Sequence, residues 1–187
     1  MRVIGGNARG QRLKVPKGRT VRPTAAKVKE ALFDILPHSL SGNRVLDLFA
    51  GTGNLTIEAL SRGATEAILV DSSAVSGKLI RENLRRLQLA DQTELWIMPV
   101  PRALRALARR GETFDLIFLD PPYDHGWIGA TLAMITQGLL LRSSGVVIAE
   151  HSLREKVEPR YGSLGLDDQR RYGSTMLSFF THDNFLS

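Results

Sequence analysis

Cysteine is absent from this chain, which excludes disulfides and thiolate metal sites together. Long apolar runs are missing too. No stretch approaches the roughly 20 apolar residues that a membrane span needs. The start, Met1-Arg2-Val3-Ile4-Gly5-Gly6, lacks the apolar segment of a secretory signal. A soluble, cytoplasmic protein is the expectation. Acid is nearly missing from the first 30 residues, where Glu30 stands alone against nine lysines and arginines. The rest of the chain is slightly acidic, so the whole net charge of +6 arises in this segment. A concentration of that kind suits a polyanion, although an ordinary solvated basic arm has the same composition.

What is present supports one core. A length of 187 residues with 43% hydrophobic content fits a single domain over 1–187. Within it, residues 1–40 read as a basic ribbon and helix, and residues 41–187 as an α/β core. Charged and apolar residues alternate around Gln11-Arg12-Leu13-Lys14-Val15. This pattern predicts a small two-stranded ribbon with one face on the protein and one presenting Arg and Lys. Thr24 reads as the N-cap of a helix over Ala25–Leu36, with an apolar stripe of Val28, Ala31, Leu32 and Ile35, ended by Pro37.

From Asn43 onward strands and helices alternate. Strands are expected over Arg44–Phe49, Ala67–Val70, Glu94–Met98, Phe114–Leu119 and Gly145–Ala149, with helices between them. Two further strands, Leu164–Tyr172 and Thr175–Thr181, are separated only by a Gly-Ser turn, so the last runs antiparallel. The expected fold is a seven-stranded, doubly wound α/β sheet.

Three motifs fall at strand ends. Residues 114–119 form a nearly continuous apolar run that stops at Asp120-Pro121-Pro122-Tyr123. Two prolines cannot donate to a sheet ladder. They leave a carboxylate, bare carbonyls and an aromatic ring, a set suited to a flat base with an exocyclic amine. The bland alternative is a strand end with a proline turn. Asp47-Leu48-Phe49-Ala50-Gly51-Thr52-Gly53 closes the first strand. Its glycines allow close backbone approach to a ligand, but the third glycine of a dinucleotide fingerprint is missing, as is the Gly-Lys-Ser/Thr of a kinase-type loop. Asp47 disfavours an anion there and suits a cation. Asp71, at the end of the second strand, can accept both hydroxyls of a ribose, or cap the helix that follows.

Together, Val3-Ile4-Gly5-Gly6 with Arg9-Gly10, Arg22-Pro23-Thr24, Val28–Phe33, Asp47–Gly53, Glu58–Gly63 and Asp120–Tyr123 resemble the RsmD-type family. These are bacterial class I methyltransferases acting on a guanine N2 of small-subunit (16S) ribosomal RNA. The resemblance covers most of residues 3–123. It implies a Rossmann-like sheet with S-adenosyl-L-methionine held by Asp47, Phe49, Ala50, Gly51, Gly53, Asp71 and Ser72. It implies a target amine at Asp120, Pro121, Pro122 and Tyr123, and RNA contacts from Arg9, Arg12, Lys14, Arg22 and Thr24. The expected partner is 16S rRNA or an assembling small subunit, and the expected state a monomer with no metal. A DNA or adenine amino-methyltransferase, and a non-catalytic RNA-binding homologue, are the alternatives.

The chain departs from the family pattern at two places. Ala25-Ala26-Lys27 replaces an acidic-basic pair, and Met98-Pro99-Val100-Pro101-Arg102 lacks the Asp or Asn that holds the adenine amino group. A backbone carbonyl, or apolar contact from Met98 or Val100, is left for that task. His125, His151, Trp96 and Trp127 read as loop or packing residues, with Trp127 notable for following the motif.

Overall fold

A computed structural model describes residues 1–16, 23–123 and 125–182. Eight strands form one sheet: β1 (Arg44–Leu48), β2 (Glu66–Asp71), β3 (Thr93–Ile97), β4 (Phe114–Leu119), β5 (Leu141–Ser152), β6 (Arg160–Tyr161), β7 (Leu164–Tyr172) and β8 (Thr175–His182). Their spatial order is β3-β2-β1-β4-β5-β8-β7-β6. Strands β1 to β5 are parallel, and β8 lies antiparallel between β5 and β7. The antiparallel last strand agrees with the sequence reading. The count is eight rather than seven because Arg160 and Tyr161 pair with Gly165 and Leu164. Two residues carry no readable alternation, so this edge strand had no signal in the chain.

Five helices are described: α1 (Pro23–Ile35), α2 (Asn54–Ser61), α3 (Ala74–Arg86), α4 (Val100–Arg110) and α5 (Trp127–Gln137). Neighbouring strand residues alternate between two core layers, as the two-residue repeat requires. Val45 and Phe118 pack with Phe33, Ile57 and Ile80 on the α1–α2–α3 side. Leu46 and Ile117 pack with Leu104, Leu132 and Ile135 on the α4–α5 side.

Two helix starts differ from the sequence reading. Helix α1 already includes Pro23, so Thr24 lies inside its first turn rather than before it. Helix α4 begins at Val100 and carries Pro101 in its first turn, where a missing N–H is harmless. The sequence pattern starts this helix at Arg102 with Pro99 and Pro101 in the loop before it; instead Pro99 is its N-cap and Pro101 lies inside it.

The N-terminal ribbon is a hairpin. Val3 N–H donates to Gln11 O at 3.0 Å and Leu13 N–H to Met1 O at 3.0 Å. Val3 and Leu13 are buried while Arg9, Arg12 and Lys14 are exposed. Its turn is bolted to the end of α2: Asn7 N–H donates to Ser61 O at 2.8 Å, and Ala8 N–H to Ser61 Oγ at 2.8 Å. Gly6 (φ 70°) sits so close that a Cβ there would fall 1.6 Å from Ser61 O.

The chain runs outward from β1 to β3, then returns to lay β4 against the other side of β1. Loops leaving the carboxyl ends of β1 and β4 therefore diverge to opposite faces and open a crevice between them, the place where such sheets bind ligands.

Candidate active site

A cavity of about 660 Å³ occupies that crevice. Phe49 and Gly51 reach it from the β1 loop, Asp71 and Ser72 from the end of β2, and Asp120 to Tyr123 from the end of β4. Pro99, Val100 and Pro101 supply an apolar wall, and Trp127 another at the start of α5. A second cavity of about 210 Å³ adjoins it, sharing Phe49, Gly51 and Asp120. Asp47, Ala50, Lys29 and Glu150 line this smaller space.

The β1 loop is shaped by unusual backbone angles. Phe49 (φ 66°), Gly51 (φ 57°) and Gly53 (φ 73°) all lie in the left-handed region, which Phe adopts only when its surroundings compel it. The Phe49 ring is 6.1 Å from that of Trp127, centroid to centroid. Gly53 packs against Leu69 and Ile80, where a Cβ would come within 3.3 Å of Leu69.

Four carboxylates surround the two cavities. The Asp71 side chain accepts the Gly51 N–H and the Ser73 N–H, each at 2.8 Å. It therefore orders the start of α3, as one of the two sequence readings has it, and it also stands at the cavity wall with lone pairs left over. Asp47 is buried, and its Oδ2 accepts the Thr56 hydroxyl at 2.7 Å. Burial, opposed by Thr56 and reinforced by the charge of Asp71, pushes its pKa up to about 7. Asp120 is open to water through the cavity, yet walled by protein and by two other acids. Desolvation, then the charges of Glu150 and Asp47, raise its pKa well above its ordinary value. Glu150 accepts the Tyr123 hydroxyl at 2.8 Å, and burial raises its pKa as well.

Pro121 is buried, Pro122 exposed and Tyr123 half-buried. The loop after β3 lines the cavity with Val100 but not Met98. His151 is buried, with Nε2 2.7 Å from Ser178 Oγ, a core polar contact. His125 is exposed. Trp96 is buried beneath the Arg110 guanidinium at 4.7 Å. On the ribbon, Arg9 and Arg12 are exposed and Lys14 is ion-paired with Glu82. Arg22 lies outside the described residues, and only the backbone of Thr24 is described. Among the described residues no cluster of His, Asp or Glu could hold a metal ion.

Sequence reasoning missed Glu150. It ended β5 at Ala149, whereas the strand continues through Ser152 by pairing with β8. The usable signal was position: an acid at the carboxyl end of a strand adjacent to β4. It also missed Asn83, whose amide accepts from Lys14 N at 2.8 Å and donates to Thr52 O at 3.1 Å. This joins the ribbon to the glycine loop.

The family model described as "Conserved hypothetical protein 95" matches residues 1–181. "Putative rRNA methyltransferase YlbH" of Bacillus subtilis is 38% identical, the match covering 96% of this chain and 98% of that protein. "Ribosomal RNA small subunit methyltransferase D" of Escherichia coli is 34% identical over 80% of this chain and 74% of that protein. The solved structure "Putative methyltransferase yhhF from Escherichia coli" superposes with a TM-score of 0.84 at 28% identity, covering 97% of both chains. This chain belongs to the Conserved hypothetical protein 95 family, the RsmD-type class I methyltransferases.

Proposed function

We propose that the chain methylates the exocyclic N2 amine of a guanine in small-subunit ribosomal RNA, using S-adenosyl-L-methionine. At the coarser level it is an S-adenosylmethionine-dependent RNA methyltransferase, as its curated relatives indicate. The observation that carries the finer reading is that Asp120 and its proline turn open onto the same cavity as Gly51 and Asp71.

The donor set suits the cofactor. The larger cavity is walled by carboxylates and apolar surface and carries no lysine or arginine among the described residues, which fits a cationic, aromatic ligand better than an anionic one. Asp71 would hold a ribose, while Pro99, Val100, Pro101 and Trp127 would enclose an adenine by apolar contact. The bound cofactor supplies an electrophilic methyl carbon on a positively charged sulfur.

The remaining work falls to the chain. Asp120 and the Pro121 carbonyl would accept the two hydrogens of the N2 amine and turn its lone pair toward the methyl carbon. Asp120 would then stabilise the positive charge growing on nitrogen. Tyr123 would stack on a guanine flipped out of its helix. Holding nitrogen and methyl carbon in line removes the entropic part of the barrier. Arg9 and Arg12 on the ribbon would hold phosphates.

The test is nucleoside mass analysis of ribosomal RNA from a strain lacking the gene, before and after incubation with the purified protein. One N2-methylguanosine should appear per small-subunit RNA. Methylated adenine, or no new product alongside measurable cofactor binding, overturns the reading.

A further inference from the structure

The geometry points to Glu150 as a positioning residue of the methyl-transfer site: it fixes Tyr123 through its hydroxyl and forms with Asp120 a carboxylate pair that takes up the proton leaving the amine. This rests on the function proposed above. Glu150 stands near the end of β5, the strand beside β4, so the fold places it next to Asp120. Both carboxylates line the smaller cavity. Tyr123 spans the two elements, donating to Glu150 Oε1 at 2.8 Å, with the Thr175 side chain bonded to the same phenol oxygen.

A tyrosine ring in a proline turn would otherwise rotate freely about its side-chain bonds. A buried acceptor aimed at its hydroxyl holds the ring plane, which is what base stacking needs.

The second role follows from proton balance. As the N–C bond forms, the C–S bond breaks and its electron pair stays on sulfur. The nitrogen then carries a methyl group, two hydrogens and a positive charge, and one proton must leave. An isolated aspartate releases protons near pH 4 and would hold this one poorly. Asp120 holds it better because desolvation, and after it the like charge of the adjacent Glu150, favour its protonated form. The pair then passes the proton to water in the smaller cavity.

Among the described residues, the other groups facing Glu150 are few. Asp47 approaches from β1, Lys29 from α1 and the Met1 residue from the ribbon, all lining the same space. Lys29 is engaged by Arg2 O, Asn54 and Glu58. The neighbouring His151 is bonded to Ser178 instead.

Glu150→Gln keeps an acceptor for Tyr123 and removes the charge. The acid limb of its kcat profile should move down by about one pH unit, with S-adenosylhomocysteine affinity unchanged. Glu150→Ala should lower kcat further, and adding Tyr123→Phe should change little more, since the two act as one unit. Carbon-13 NMR titration of the side-chain carboxyls reads the pair without turnover: Asp120 should titrate at lower pH in Glu150→Gln. An unmoved Asp120 titration, or a Glu150→Gln profile matching the wild type, overturns the inference. If the wild type methylates no guanine at any pH, the proposed function fails instead, and the NMR titration still decides the pair.

Discussion

Lys29 Nζ lies 3.1 Å from Glu58 Oε2 with both side chains out of solvent, and both are bonded to the N-terminal ribbon. Lys29 donates to Arg2 O at 2.6 Å, while Glu58 accepts the N–H groups of Ile4 and Gly5 at 2.8 and 2.7 Å. Lys29 also donates to Asn54, the first residue of α2 after the glycine loop. One buried pair thus ties the proposed RNA arm to the proposed cofactor loop.

Both partners' proton affinities are lowered, which works against the charged lysine and for the charged glutamate. Burial lowers the Lys29 pKa against the attraction of Glu58. For Glu58 burial acts upward, but the Ile4 N–H, the Lys29 charge and the Gly5 N–H together carry its pKa below its ordinary 4.5. Three acceptors around Nζ favour the ionised pair. Glu58→Ala should therefore strand a buried ammonium and lower stability by about 3–5 kcal/mol. Urea denaturation measures this, and amide exchange at Ile4 and Gly5 should accelerate with it. Because its folded pKa is depressed, the Glu58 contribution is present above the unfolded value and disappears as pH falls through the folded one. Unchanged stability in Glu58→Ala would mean that the ribbon is held by other contacts.

Asp120→Ala should reduce turnover by at least about 10²-fold, the scale of removing a group aimed at developing charge. Binding of S-adenosylhomocysteine should change little, since the contacts assigned to the cofactor come from Asp71 and the glycine loop. Calorimetry and single-turnover methylation separate the two effects. A variant that still methylates at the wild-type rate would leave the carboxylate without a role.

Asp71→Ala should act on binding. It removes the proposed ribose acceptor and also frees the Gly51 and Ser73 N–H groups, so the glycine loop and the start of α3 both lose an anchor. Cofactor affinity should fall by more than tenfold, as expected when a charged hydrogen-bond acceptor is lost. Asp71→Asn, which keeps one acceptor oxygen, should fall less. Equal affinities in all three proteins would place the ribose elsewhere.

Much of this architecture could be read from the chain because its signals are local. The apolar run 114–119 ending in Asp120-Pro121-Pro122 is a buried strand meeting two residues that cannot continue it, and it stops at Leu119. Gly51 and Gly53 mark a turn that the backbone angles require. What escaped was long-range. Arg142, Ser143 and Ser144 look like a loop, yet they belong to a 12-residue strand because β5 starts well before its apolar segment. Glu150 gains its meaning only from Tyr123, 27 residues away. Asn83 gains its own from Lys14, 69 residues away. No local period reports pairings of that kind.

The ribbon offers a separate test. Arg9 and Arg12 are exposed, whereas Lys14 is ion-paired with Glu82 and has less charge to offer a phosphate. Changing both arginines to alanine should flatten the dependence of log affinity on log salt by roughly 1.4, given about 0.7 per single-strand phosphate contact. Adding Lys14→Ala should flatten it by less than another full contact. Filter binding to a small-subunit RNA fragment across a salt series gives the slope. If the slope is unmoved, RNA is held by a different surface.

At Asp47 stability and the proposed ligand binding should oppose one another. In an unfolded chain its carboxyl titrates at an ordinary 3.8, while burial in the fold pushes it to about 7. Between those values the folded protein keeps a proton that the unfolded chain has released. Stability from this group therefore falls as pH rises through that window and is lowest above it. Asp47→Asn keeps an oxygen for the Thr56 hydroxyl and has no proton to lose. The variant should match the wild type near pH 4 and be the more stable protein near pH 8, as read by urea denaturation at each pH. A cation in the adjoining cavity reverses the preference by favouring the ionised aspartate. Wild-type affinity for S-adenosylmethionine should then rise between about pH 6 and pH 8, with protons released on binding. Asp47→Asn should bind more weakly and respond less to pH. A variant less stable than the wild type at pH 8, with cofactor affinity intact, would show that Asp47 serves the packing of α2 on β1 and not the ligand.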